Sequence, residues 1–262
     1  MSLTGKTLAG SYKDILQVDN SNSGITTSVK QIKDGEGTTS CAYLSDDSLD
    51  IRPENAGTDS AFRVLEEGGD IVFEVDTHHE LVKASGHYVN THYANFGVTS
   101  TESANYVDDT HHAIPLNMSG YAALSYPPAF GTSTDPATTF TTADGIGTRG
   151  SDLVPVLWRL PDAISIDSVR SIEGADNATG DTTRMHLFSY TFTSGSTSAL
   201  SAGTLLAHNS DVTNAGSEQG YLSTWTVDSA AVAAGKVILA FFKSDSINSD
   251  YSVSITVKYH LT

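Results

Sequence analysis

A chain of 262 residues has room for one large or two smaller domains with a real core, yet 39% hydrophobic and 17% charged residues are low fractions for a globular enzyme. A formal net charge of −17 with no basic cluster excludes nucleic acid and disfavours anionic lipid as partners. The single cysteine, Cys41, excludes an internal disulfide and has no nucleophile signature around it.

The N-terminal MSLTGKTLAGSYKD has no apolar stretch of the signal-peptide kind, so synthesis in a cytoplasm is expected. The longest apolar run, Val237 to Phe242, is too short to cross a bilayer, so no membrane insertion is expected. Ser, Thr, Gly, Asn and Asp fill the composition, and they suit turns and solvated strand faces. The expected class is all-β.

Residues 1–86 are expected to hold an N-terminal attachment segment and a β-repeat stem. Short strands alternate with turn clusters: ILQV then DNSNSG, VKQI then KDGEG, CAYL then SDD, LDI then RPENAG, FRVL then EEGG, IVFEV then DTHH. ILQVDNSNSGI and VFEVDTHHELV share an apolar-x-x-Val-Asp pattern, a polar turn and an apolar restart, as a degenerate repeat would. Such narrow units expose apolar positions and strand edges. Three copies wound about an axis would bury both, so the stem is expected to be an intertwined homotrimer.

Residues 87–150 read as a collar and extended connection. HYVNTHYANFGVTSTESANYVDD is aromatic-rich without helical period, and SYPPAFGTSTDPATTFTTADGIGTRG is dense in Pro, Gly and Thr. Tyr121, Tyr126, Phe130 and Phe140 predict that this connection packs against something.

Residues 151–262 predict a β-sandwich or jelly-roll head. In YSVSITVKYHL, Tyr251, Val253, Ile255, Val257, Tyr259 and Leu261 face one way, and Ser252, Ser254, Thr256, Lys258 and His260 the other. LVPVLWRL, ISIDSVRSI, RMHLFSYTF, TLLAHN, YLSTWTV and KVILAFF read as further strands. SAAVAAG predicts one helical turn, capped by Ser229 and stopped by Gly235.

SYKDILQVDNSNSG followed by KDGEGTTSCAYLSDDSLDI resembles the stem segment of tail fibre and related virion proteins of tailed phages, many of them marine. FRVLEEGGDIVFEVDTHHELVKASG resembles a last stem repeat before a head, and NSDYSVSITVKYHL resembles the final strand of jelly-roll heads on such fibres. The resemblance implies a homotrimer with a β stalk and three clustered heads, located in the virion. It implies attachment to other virion proteins, tail or major capsid protein, through the N-terminal region. The stem-like motif begins near the N-terminus, which leaves as an alternative a trimeric capsid decoration or head fibre protein that stabilises the shell.

His78-His79 and His111-His112 are neighbours, and neighbours on a strand point to opposite faces; His87 and His92 also face apart. Three-fold symmetry would relax this objection, because one histidine per chain near the axis supplies three ligands. His87, His92, His111 and His112 are the candidates for such an axial ion, although polar filling of a stalk-to-head junction is the plainer expectation, with no metal and no cofactor. The zinc-protease spacing is absent after His79-Glu80. Carboxylate pairs Asp46-Asp47, Glu66-Glu67 and Asp108-Asp109 would be needed by a third reading, a small carbohydrate-active depolymerase, but each lies in or beside a turn. No catalytic residue is therefore expected. Host-surface glycan or protein contact is expected from polar, Gly-rich head loops: Gly174 to Asp181, Ser194 to Ala202 and Asn209 to Gly220.

Overall fold

The computed structural model describes residues 16–21, 23–53, 60–78, 81–99, 101, 106–116, 126–216, 218–246 and 250–262. The expected attachment segment up to residue 15, together with His79, Glu80 and Tyr121, lies outside the described residues. Among them are twenty β-strands, one α-helical turn and one 3-10 turn. The protein is all-β. It divides into two compact units, residues 1–89 and 90–262.

The first unit holds two antiparallel meanders. β1 (Gln17–Val18), β2 (Lys30–Lys33), β3 (Thr39–Leu44) and β4 (Leu49–Ile51) form one, in sequence order. β5 (Phe62–Leu65), β6 (Ile71–Asp76), β7 (Leu81–Ala84) and β8 (His87–Tyr88) form the other. The turn residues explain the reversals. Asp34 Oδ1 accepts from the backbone N–H of Glu36 at 2.9 Å and Thr38 at 2.8 Å, which closes the β2–β3 connection. Ser85 and Gly86 both have positive φ, 48° and 79°, the conformation a two-residue hairpin requires between β7 and β8. Strands this short bury little: Leu49, Phe62, Val64, Leu65, Ile71 and Val72 are all exposed.

The second unit is a two-sheet sandwich. Its long strands are β9 (Thr91–Val98), β12 (Ile164–Asp176), β13 (Thr182–Phe192), β14 (Leu200–His208), β19 (Val237–Ser244) and β20 (Asp250–Leu261). Shorter ones are β10 (His112–Ile114), β11 (Trp158–Arg159), β15 (Val212–Thr213), β16 (Gly220–Thr224), β17 (Thr226–Val227) and β18 (Ala231–Val232). One sheet runs β16–β12–β20–β9 with β18 on β12; the other runs β10–β19–β13–β14–β17 with β11 on β19 and β15 on β13. The main pairings are nested in sequence: β9 with β20, β10 with β19, β12 with β16, and β13 with β14. Nested antiparallel pairs folded across two sheets make an eight-stranded jelly roll.

That topology moves strands from the expected collar into the head. β9 and β10 lie within residues 87–150, yet they are the first two strands of the roll, so the compact unit begins at Asn90 rather than at residue 151. The connection after them packs down as its aromatics predicted. Phe130 and Phe140 stack at 4.7 Å and are buried with Tyr190, Phe188 and Phe241 on the outer side of the seven-stranded sheet. This second core adds to the inter-sheet core, where Val169, Met185, Leu187, Ile238, Ile255 and Val257 meet. Tyr126 stays near the surface, with the Arg149 guanidinium 6.0 Å from its ring centre.

Four local expectations are corrected. LVPVLWRL is not one strand: a helical turn, α1 (Gly150–Leu153), runs into a 3-10 turn at Val154–Val156, and only Trp158–Arg159 pairs. Pro155 has no N–H to give a ladder and suits the start of a 3-10 turn. SAAVAAG is not helical: Ala231–Val232 pairs with β12, Val232 is buried, and Gly235 at φ 80° closes the turn that follows. YLSTWTV crosses from one sheet to the other at Trp225, whose buried indole N–H donates to Ser171 Oγ at 2.9 Å. The alternation of β20 holds from Tyr251 to Val257 and then shifts, leaving His260 buried and Leu261 exposed. The cause lies on the neighbour: β12 bulges between Ile166 and Ser168, and the extra residue, Asp167, holds His260 Nδ1 at 2.8 Å.

Candidate functional site

The four candidate histidines fall on separate elements of the two units. His87 is exposed on β8 in the first unit. His92 is in the second unit, stacked on Tyr259 with ring centres 5.5 Å apart. His111 and His112 are buried and point apart, as the pleat requires. His111 sits against the edge of the His186 ring at 4.9 Å, and its Nε2 lies 3.0 Å from the Ser133 carbonyl. His112 turns toward Tyr106, where its Nε2 accepts the Val107 N–H at 2.9 Å. Among the described residues, no group of three or more His, Cys, Asp or Glu side chains is placed to hold a metal ion.

Burial holds these rings neutral. It pushes His112 down to about 4 and His186 to about 3, with His111 also lowered. His111 and Arg184 add like-charge repulsion at His186, whose Nε2 faces Asp135 at 3.3 Å. These are packed, neutral imidazoles.

The carboxylate pairs occupy turns as expected: Asp46-Asp47 follows β3, Glu66-Glu67 follows β5, and Asp108-Asp109 precedes β10 with Asp109 at φ 55°. A buried carboxyl that sequence reasoning missed is Glu173. It points between the sheets, accepts from Thr183 Oγ1, and burial raises its pKa to about 6. Its phase is set by the β12 bulge, which puts Val169, Ser171 and Glu173 inward.

The candidate loops are partly structural. Ala178, Asn209 and Asn214 are buried; Asn209 Oδ1 accepts the Met185 N–H at 2.7 Å, and Asn214 Nδ2 reaches Tyr251 Oη at 3.3 Å. Their side chains are taken up by the fold. In the second loop Ser194, Gly195, Thr197, Ser198 and Ala202 are exposed.

The outward side of the five-stranded sheet forms an open trough of about 500 Å³. Register sets its rows. Leu222, Ile172 and Ser254 lie side by side; then Thr224, Arg170, Thr256 and Asn95; then Ser168, Lys258 and Tyr93. Leu222 is 71% exposed, Tyr93 62% and Ile172 60%. Among the described residues neither Arg170 nor Lys258 has a carboxylate within ion-pair distance, although the chain carries 31 acidic residues against 14 basic. The clue was available in one strand: ISIDSVRSI places Arg170 and Ile172 in one phase and Val169 in the other. What it did not give was the neighbours.

No family model matches the chain, and no curated protein matches it.

Proposed function

We propose that the chain is a non-enzymatic virion structural protein of a tailed phage, a homotrimeric fibre whose jelly-roll heads bind the host surface. The observation that carries this reading is the apolar surface of the first unit. Phe62, Val64 and Leu65 on β5 and Ile71 and Val72 on β6 are exposed, on strands of four and six residues. A chain with such strands gains by assembling with copies of itself, since association covers apolar side chains and strand edges together. The stem-like sequence of the same region and a jelly roll after it are what the resemblance to fibre proteins implies.

Sedimentation equilibrium of the full chain tests the assembly, with a trimer expected and a monomer at micromolar concentration against it. Quantitative mass spectrometry of purified particles tests the location. A few copies per particle are expected of a receptor-binding fibre. Copies comparable to the major coat protein would instead make it a capsid decoration or head fibre protein.

A further inference from the structure

We propose that the outward side of the β16–β12–β20–β9 sheet binds a saccharide bearing carboxylate groups. The inference rests on the receptor-binding reading only in giving ligand contact to the head, and it moves that contact from the loops to a sheet face.

Charge is the first argument. In a chain of net charge −17, the central three rows of this face carry two cations and no carboxylate. Arg170 lies opposite Thr256, and Lys258 is the diagonal neighbour, so their Cα atoms are about 7–8 Å apart. Of the acids near this side, Asp176 and Asp250 pair at the far end of β12, and Asp167, at the bulge beside Ser168, is engaged by His260 at 2.8 Å. Asp176 is six positions along from Arg170, about 20 Å on a strand. Two cations with no carboxylate in ion-pair distance among the described residues, on a protein that otherwise repels anions, select an anionic ligand locally.

Side-chain type is the second argument. Ser168, Ser254, Thr256 and Asn95 surround the cations, and hydroxyl and amide groups both donate and accept, as sugar hydroxyls do. Thr256 Oγ1 already donates to Asn95 Oδ1 at 3.0 Å, which leaves the Asn95 amide hydrogens to donate. Tyr93, opposite Lys258, offers an exposed ring on which the C–H face of a sugar can lie. Leu222 and Ile172 close the other side as an apolar wall. The trough of about 500 Å³ falls in the range of small-molecule sites, about 300–1,000 Å³. An acidic peptide fits less well: extended peptides add to a strand edge and helical ones to an apolar groove, and this is the face of a paired sheet.

The test is calorimetric titration of the full chain at low salt with hexagalacturonate, its methyl ester and hexaglutamate. Wild type is expected to bind hexagalacturonate, with affinity falling as sodium chloride rises. The methyl ester, and the variants Arg170→Glu and Lys258→Glu, are each expected to bind at least ~10-fold more weakly. Lys236→Glu, a charge reversal elsewhere on the head, is expected to change nothing, and thermal melts confirm that each variant folds. Any of four titration results overturns the proposal: no binding by wild type, equal binding of the ester, unaffected binding by both charge reversals, or hexaglutamate binding as tightly as the saccharide. Dissociation of the assembly by Arg170→Glu would also overturn it, because the face would then be a subunit interface. Adsorption to host cells separates the two readings. Adsorption kept by Arg170→Glu removes this face but leaves receptor binding standing, whereas no adsorption by wild type removes receptor binding itself.

Discussion

Thr183 Oγ1 lies 2.9 and 2.8 Å from the two carboxylate oxygens of Glu173, in the space between the sheets. One hydroxyl proton serves two oxygens, and Glu173 is 1% exposed, so its charge is poorly compensated. Burial raises the pKa from the ordinary 4.5 to about 6. The folded state therefore holds the proton more tightly than the unfolded chain. The sign follows: this group's contribution is complete below pH 4.5 and is lost as pH rises to about 6, in total about 2 kcal/mol. Glu173→Gln keeps a carbonyl acceptor for Thr183 without the charge. In urea denaturation at pH 8 the variant is expected to be more stable by about 1–2 kcal/mol, with no advantage at pH 4.5. A variant less stable at pH 8 would mean that the carboxylate itself supports the fold.

The buried histidines act in the opposite sense. A histidine whose folded pKa is below 6.5 contributes stability that is complete above 6.5 and lost as pH falls toward the folded value, about 4 for His112 and about 3 for His186. His112 alone accounts for about 3 kcal/mol over that window. These rings outweigh the single carboxyl, so net stability is expected to fall on acidification from pH 6.5 to 4. His186→Phe should flatten the slope: Nδ1 is buried without a hydrogen bond, and the ring already packs among His111, Phe188 and His208. Melting temperature against pH, wild type beside variant, decides it, and parallel curves would remove His186 from the account.

The sequence showed what period alone can show. β20 was legible from Tyr251 to Val257 because its alternation is strict, and the opposite facing of His111 and His112 follows from the pleat. The shift at His260 was not legible, since its cause, the Asp167 bulge, is on another strand. β9 was missed because its partner lies at the other end of the head: Tyr93 pairs with Lys258. The same non-local register hid the exposed face, whose Arg170 and Lys258 are ordinary surface cations until β12 and β20 lie side by side. The candidate loops were legible only as loops. Asn209 and Asn214 look like solvated loop residues by type, yet their amides serve buried backbone and side-chain partners.

Gly203 allows the connection after β10 to seat on the seven-stranded sheet. A Cβ there would come within 2.7 Å of both Thr138 Cα and Tyr190 Cε1, while the Gly203 N–H donates to the Thr138 carbonyl at 2.9 Å. Backbone on one side and a buried ring on the other cannot give way cheaply. Tyr190 is further held by its hydroxyl, which donates to the Ala137 carbonyl at 2.8 Å. Gly203→Ala is expected to cost about 1–3 kcal/mol in chemical denaturation. Gly150→Ala, where an added Cβ meets nothing within 4 Å, is the control and should stay within about 0.5 kcal/mol. Equal stability of the two variants would mean that the segment around Thr138 yields.

The nested pairing makes a sharp demand on where the head can be cut. A fragment of residues 90–262 keeps both opening strands of the roll. One of residues 151–262 loses β9 from beside β20 and β10 from beside β19, and with them the buried side chains of Phe96, Ile114, Phe130 and Phe140. At about 2 kcal/mol for each buried side chain, the loss approaches 8 kcal/mol before any strand hydrogen bond is counted. That is comparable to the whole stability of a typical domain, about 5–15 kcal/mol. The longer fragment is expected to melt cooperatively with strong near-ultraviolet dichroism from its packed aromatics. The shorter one is expected to show neither, and to aggregate through the uncovered edge of β20. A cooperative melt from residues 151–262 would show that β9 and β10 decorate the sandwich rather than complete it.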